Sequence, residues 1–151
     1  MSIASVLRSR SALWHEGLDS FGYRVDVPLT TDSRSGELAI RGLRPTDYGG
    51  PAVVIDLNEL WAQGNDPDGL GLEHEGCFLL ASSWHAQIAP TGDLGAERLD
   101  LDRSKPPALV IHRHPYGFPN PVRMPASPLI LPIQWLQHLE ELIYDEFHAD
   151  T

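Results

Sequence analysis

Residues 96–114 read AERLDLDRSKPPALVIHRH. AERLDLD and ALVIHRH each alternate between apolar and polar residues, and the polar, proline-bearing RSKPP separates them, so the stretch reads as an antiparallel hairpin. Leu99 and Leu101 take the core side of the first strand, which sends Arg98, Asp100 and Asp102 to the opposite face. With Arg103–Pro107 as the loop, the simplest register sets Asp102 against Ala108, Asp100 against Val110 and Arg98 against His112. His112 and His114 then share the face of Arg98 and Asp100, while Arg113 points the other way.

The neighbouring stretches extend this hairpin into a sheet. CFLLASSWHAQIA, from Cys77, reads as one long strand. Simple alternation puts Phe78, Leu80, Trp84 and Ile88 on one face and Cys77, Leu79, Ala81, Ser83, His85 and Gln87 on the other. Upstream, Arg24–Val27 and Glu37–Leu43 alternate around the polar turn TTDSRSG, a second hairpin. DYGGP marks a further turn before AVVIDLNELW, whose first half is strand-like and whose NELWAQG end is expected to roll into a short helical turn.

Helices are expected at the two ends. Ile3, Val6, Leu7, Leu13, Trp14 and Leu18 recur at helical spacing, with Ser2 as a cap and Gly17 or Gly22 as a stop. PIQWLQHLEELIYDEF places Ile133, Leu136, Leu139, Leu142, Ile143 and Phe147 on one side, with Pro132 in the first turn. The sum is an α+β fold: a single mostly antiparallel sheet with an N-terminal and a C-terminal helix packed on one face. The 151 residues suit one domain, and no fixed-period repeat or long linker divides them. The acidic, glycine-rich segment 64–76 reads as a mobile loop.

A formal net charge of -10 argues against broad contact with a phosphate backbone, which relies on basic stripes. Ten of the eleven basic residues are arginines, the side chain suited to planar contacts with phosphate or carboxylate. The single Cys77 excludes an intrachain disulfide and a multi-cysteine zinc site. No signal-like start and no run approaching ~20 apolar residues is present, so the expectation is a cytoplasmic protein without a membrane partner.

The chemistry-bearing residues gather on the polar side of the hairpin. His112 and His114 are candidates for proton transfer, and Asp100 is a candidate to orient one of them. Arg98 and Arg123 suit an anion such as phosphate, and His85 with Ser83 reaches the cluster from the preceding strand. Prolines 115, 119, 121 and 125 stiffen the exit after His114 and present Tyr116 and Phe118 beside it. Two histidines with an aspartate also suit a divalent transition metal. A solvated sheet face carries the same residue types without any chemistry, and the spacing alone decides nothing. No cofactor or metal signature is present. His138 and His148 read as surface residues of the last helix, and His15 and His74 show no partner.

In order and motif, RLDLDR, then HRHPYG, then a proline-containing link and a last amphipathic helix, the segment Gly76–Phe147 resembles the TumE-like toxins of bacterial toxin–antitoxin pairs. Arg98, Asp100, His112 and His114 are the matching residues. Leu99 stands where an aromatic is typical, and the segment 64–76 and the acidic charge depart from the pattern. The resemblance implies a toxin-like protein masked by a partner antitoxin, and the polar cluster suggests RNA or a nucleotide as its substrate. Two other classes stay open: a non-catalytic acidic binder of a basic protein (antitoxin, immunity protein or assembly subunit), and a metal-dependent hydrolase.

Overall fold

The computed structural model describes residues 2–32, 34–46, 50–88, 95–123 and 132–148, without the side chains of 26–31, 108, 123 and 148. The chain runs α1 (Ile3–Ser20), β1 (Arg24–Asp32), β2 (Glu37–Arg44), β3 (Val53–Gln63), β4 (Glu73–His74), β5 (Cys77–Ile88) and β6 (Ala96–Leu101). A single 3-10 turn (Pro107–Leu109), β7 (Ile111–His114), β8 (Val122–Arg123) and α2 (Pro132–His148) complete it. All strand pairs are antiparallel in one sheet ordered β1-β2-β3-β5-β6-β7-β8, with the short β4 added to β5. The two helices pack on one face of it, as expected from the two amphipathic ends. Among the described residues no helix is long and apolar enough to cross a membrane. The turn read at DYGGP falls largely on 47–49, and Pro125 also lies outside the described residues.

α1 begins as its sequence dictates. The Ser2 hydroxyl accepts the backbone N–H of Ser5, and the chain leaves the helix through Gly22 at a φ of 79°. Gly17 is not a stop but a contact point: a Cβ there would meet Leu136 of α2 at 2.9 Å. In α2 the core side is carried by Trp135, Leu136, Leu139 and Ile143, while Ile133, expected inward, is exposed.

Three expectations about the strands are corrected. NELWAQG is strand as far as Gln63, not a helical turn, because β3 pairs with β5 along its whole length and with β2 from Val53 to Leu60. In β5 simple alternation fails at Leu80, where a bulge sets Leu60 against Ala81 but Trp61 against Leu79. The extra residue reverses the phase, so Cys77 and Leu79 face the core together with Trp84, Ala86 and Ile88. The β6–β7 register is shifted by two from the simplest one: Asp100 pairs with His112 and Arg98 with His114. The 3-10 turn lengthens the loop, closed by Asp102 N–H donating to the Val110 carbonyl at 2.8 Å. A shift of two preserves side-chain parity, so the face assignment survives.

The core is organised around a buried carboxylate. Glu59, on the helix-facing side of β3, accepts from Arg10 Nε and Nη2 at 2.9 and 2.7 Å and from the indoles of Trp14, Trp61 and Trp84 at 2.9, 3.0 and 3.1 Å. Neither side chain of the Arg10–Glu59 pair has any solvent exposure. Trp135 of α2 packs edge-on against Trp14 and Trp84, tying both helices to the sheet through one aromatic group.

Gly36 closes the β1–β2 turn where only glycine fits. Its φ is +78°, and an added Cβ would lie 2.1 Å from the carbonyl oxygen of Trp61, whose own N–H donates to the Gly36 carbonyl. Gly36→Ala should therefore lower stability by about 2 kcal/mol or more, combining left-handed strain with a backbone clash. Gly71→Ala has similar strain, at φ +73°, but open space, and should cost about 1 kcal/mol. Thermal melts of the two variants check this; equal melting temperatures would contradict it.

Candidate functional site

The face opposite the helices carries two rows of mainly polar side chains, set by strand register. One row runs Arg41, Asp56, His85, Arg98, His114 across β2, β3, β5, β6 and β7. The next runs Ala39, Asn58, Ser83, Asp100, His112, and the backbone of Arg123 in β8 continues it. Arg98, Asp100, His112 and His114, with His85 and Ser83 from β5, thus share one face, as their alternation predicts.

At the centre Asp100 Oδ2 lies 2.8 Å from Arg98 Nε, 3.5 Å from His112 Nε2 and 3.7 Å from His114 Nε2. The arginine contact is a charge contact without hydrogen-bond alignment, since Arg98 Nε has no hydrogen-bond partner among the described residues. Arg98 Nη2 sits 2.9 Å from His114 Nε2. A guanidinium can only donate, so this nitrogen accepts and the ring's proton sits on Nδ1. Burial and then the positive Arg98 hold the His114 pKa below its ordinary value, with Asp100 opposing, so the ring is neutral at pH 7. His112 is 6% exposed, and its Nδ1–H donates to the Leu109 carbonyl at 2.7 Å. The 3-10 turn that lengthens the loop supplies that anchor.

The proline-rich exit frames a hollow. His85, Arg98 and His114 line a cavity of about 310 Å³ with Pro115, Phe118 and Pro119 as its apolar wall. Gly117, at φ 81°, lets the chain turn so that Phe118, 67% exposed, stands at the rim. Tyr116 stands apart from this hollow: its N–H donates to Glu97 and its ring packs against Phe147 of α2. Asp100 also lines a second hollow of about 530 Å³ on the same face, together with Asp102, Glu37 and small residues such as Ala39 and Ser83.

Sequence reasoning missed two polar anchors. Glu97, on the helix side of β6, is 1% exposed and accepts from Arg113, from Tyr116 N–H and from His138 of α2. Arg103 reaches Asp66 Oδ1 at 2.8 Å and Asp68, and donates to the carbonyls of Leu79 and Leu80 at the bulge. The segment 64–76, read as mobile, is tied by these bonds, by the β4 ladder and by the 3.0 Å contact of His74 Nε2 with the Ser9 hydroxyl. Both partnerships join residues far apart in sequence, which no local pattern signals.

Burial opposes ionisation of Glu97, but its hydrogen bonds from His138, Arg113 and Tyr116 N–H outweigh that and hold its pKa below the ordinary range. A carboxyl depressed in the folded state contributes stability that is present above its unfolded pKa, about 4.3, and is lost as pH falls through the folded value. Glu97→Gln should therefore destabilise the chain at pH 7, and the gap to wild type should close towards pH 3. Urea unfolding at both pH values checks this; a gap that widens on acidification would contradict it.

No protein-family model matches the chain, and neither a curated protein nor a solved structure is significantly similar to it.

Proposed function

We propose that this protein is a toxin-like enzyme that cleaves a phosphodiester in a short single-stranded RNA, at the hollow shared by His85, Arg98 and His114. The observation that carries the reading is the row itself: two histidines flank an arginine on adjacent strands and open into one hollow. Two strand spacings put the histidines about 10 Å apart, room for a phosphate between them over the guanidinium. The ribose 2′-hydroxyl attacks phosphorus, His114 Nε2 takes its proton, the P–O5′ bond breaks and His85 returns a proton to the leaving oxygen. The products are a 2′,3′-cyclic phosphate and a free 5′-hydroxyl. Arg98 binds the phosphate oxygens, a task for which a guanidinium suits better than an ammonium. Phe118 offers a face on which a base stacks.

Asp100 and His112 act here as positioning residues: Asp100 holds the guanidinium, and His112 packs edge-on against His114 with ring centres 5.0 Å apart. The resemblance to TumE-like toxins supports the same reading, since its matching residues fall on this face. A protein partner that covers the open face would mask the hollow. The acidic-binder alternative has less behind it, because Arg103 already engages Asp66 and Asp68 of the acidic segment.

Induced expression in bacteria tests the reading. The wild type should arrest growth, and His114→Ala, shown to be folded by circular dichroism, should not. Unimpaired growth with the wild type, or equal arrest by both, would count against it.

A further inference from the structure

Asp100 is poorly served for a carboxylate so little exposed. Its Oδ1 is buried with no hydrogen-bond partner among the described residues, and Oδ2 has only the misaligned contact with Arg98 and two imidazole nitrogens. Those nitrogens do not approach as obvious donors. His112 Nδ1 faces the Leu109 carbonyl, which can only accept, so in the neutral ring Nε2 carries a lone pair. His114 Nε2 accepts from Arg98 and carries one too. Three ligand atoms, one from each of Asp100, His112 and His114, therefore converge within 4.8 Å of one another, and Arg98 is the cation among them. Acceptors this close repel unless something positive lies between them.

We infer that Asp100, His112 and His114 form a site for a divalent first-row transition ion, and that the Arg98 guanidinium holds the ion's place in the metal-free chain. The donor set, two imidazoles and a carboxylate, is of the kind that binds zinc, cobalt or iron(II). Ligand atoms about 2.0–2.1 Å from a tetrahedral ion are roughly 3.3 Å apart. The carboxylate-to-imidazole gaps of 3.5 and 3.7 Å are within a few tenths of that. The widest gap, between the two rings, closes by a tilt of His114, whose restraint is Arg98. The Leu109 carbonyl fixes the His112 tautomer with Nε2 inward, as outer partners of metal-binding histidines do. Asp100 lines one open hollow and His114 the other, so an ion has access from either side. Arg98 is 39% exposed in its side chain and can leave towards solvent. The inference goes beyond the cleavage reading and stands without it. It also implies that a bound ion evicts Arg98 from the phosphate hollow.

The test uses tag-free protein stripped with a chelator and titrated with Co²⁺, followed by visible absorption, and with Zn²⁺ by calorimetry. No substrate or turnover enters. Wild type should take up one ion per chain, and Arg98→Met should bind at least ~10-fold tighter because the competing cation is gone. His112→Ala should abolish uptake in both backgrounds. An Arg98→Met chain that binds no tighter, or an ion retained by His112→Ala, overturns the inference. If a variant fails to fold, the wild type decides it by nuclear magnetic resonance with substoichiometric Co²⁺. Broadening that begins at the His112 and His114 rings supports the site; no uptake, or broadening confined to other histidines, overturns it.

Discussion

Replacing Glu59 by alanine should lower stability by about 3–5 kcal/mol, the usual consequence of stripping one partner from a buried ion pair. The carboxylate takes donors from Arg10 and three tryptophans with no solvent nearby, so its loss strands a buried charge and three indole N–H groups together. At roughly 2–4 °C per kcal/mol for a chain of this size, melting should fall on the order of 10 °C. The pair Arg41–Asp56, exposed on the open face, provides the contrast: Asp56→Ala should cost less than about 1 kcal/mol, because water screens both charges. Substituting both members of the buried pair, Arg10→Met with Glu59→Leu, should recover part of the loss, since no charge is then left alone. A Glu59→Ala melt within two or three degrees of wild type would show that the polar group does not organise the core.

The second large effect concerns the hollow, and its two main residues should fail in different ways. His114→Ala removes the proton acceptor, so kcat for RNA cleavage should fall about 10²–10⁴-fold while KM changes little. Arg98→Ala removes a charged hydrogen-bond donor to phosphate, worth about 1.5–3 kcal/mol, so KM should rise at least ~10-fold. His112→Ala should have the smaller effect on turnover, acting only through the placement of the His114 ring. Steady-state kinetics on a short oligoribonucleotide separates the three. A His112→Ala loss as deep as that of His114→Ala would return His112 to the direct role its sequence position suggests.

The face was legible in the sequence, and its details were not. Side-chain parity in a strand has a period of two, so Leu99 and Leu101 alone assign Arg98 and Asp100 to the opposite side, and Val110–His114 does the same for the histidines. A loop longer by one 3-10 turn shifted the pairing by two residues, which alternation cannot detect because it leaves parity intact. A bulge is the opposite case: the single extra residue at Leu80 inverts every assignment on one side of it, without a glycine or proline to announce it. Glu59 was hidden for another reason. Asn and Glu are weak strand formers, so NELW reads as a turn until the charge is seen to be satisfied by Arg10, 49 residues away. The Glu97–His138 and Arg103–Asp66 bonds join segments 41 and 37 residues apart and leave no local trace. Local pattern sets faces and caps; long-range polar bonds choose register and fix the loops.

The most direct measurement is on the chemistry itself. Purified wild type and His114→Ala should each be incubated with a labelled single-stranded oligoribonucleotide in the presence of a chelator, and the new ends identified. The expected result is 2′,3′-cyclic phosphate and 5′-hydroxyl ends from the wild type and intact RNA with the variant. Intact RNA with both proteins, or equal cleavage by both, would contradict it.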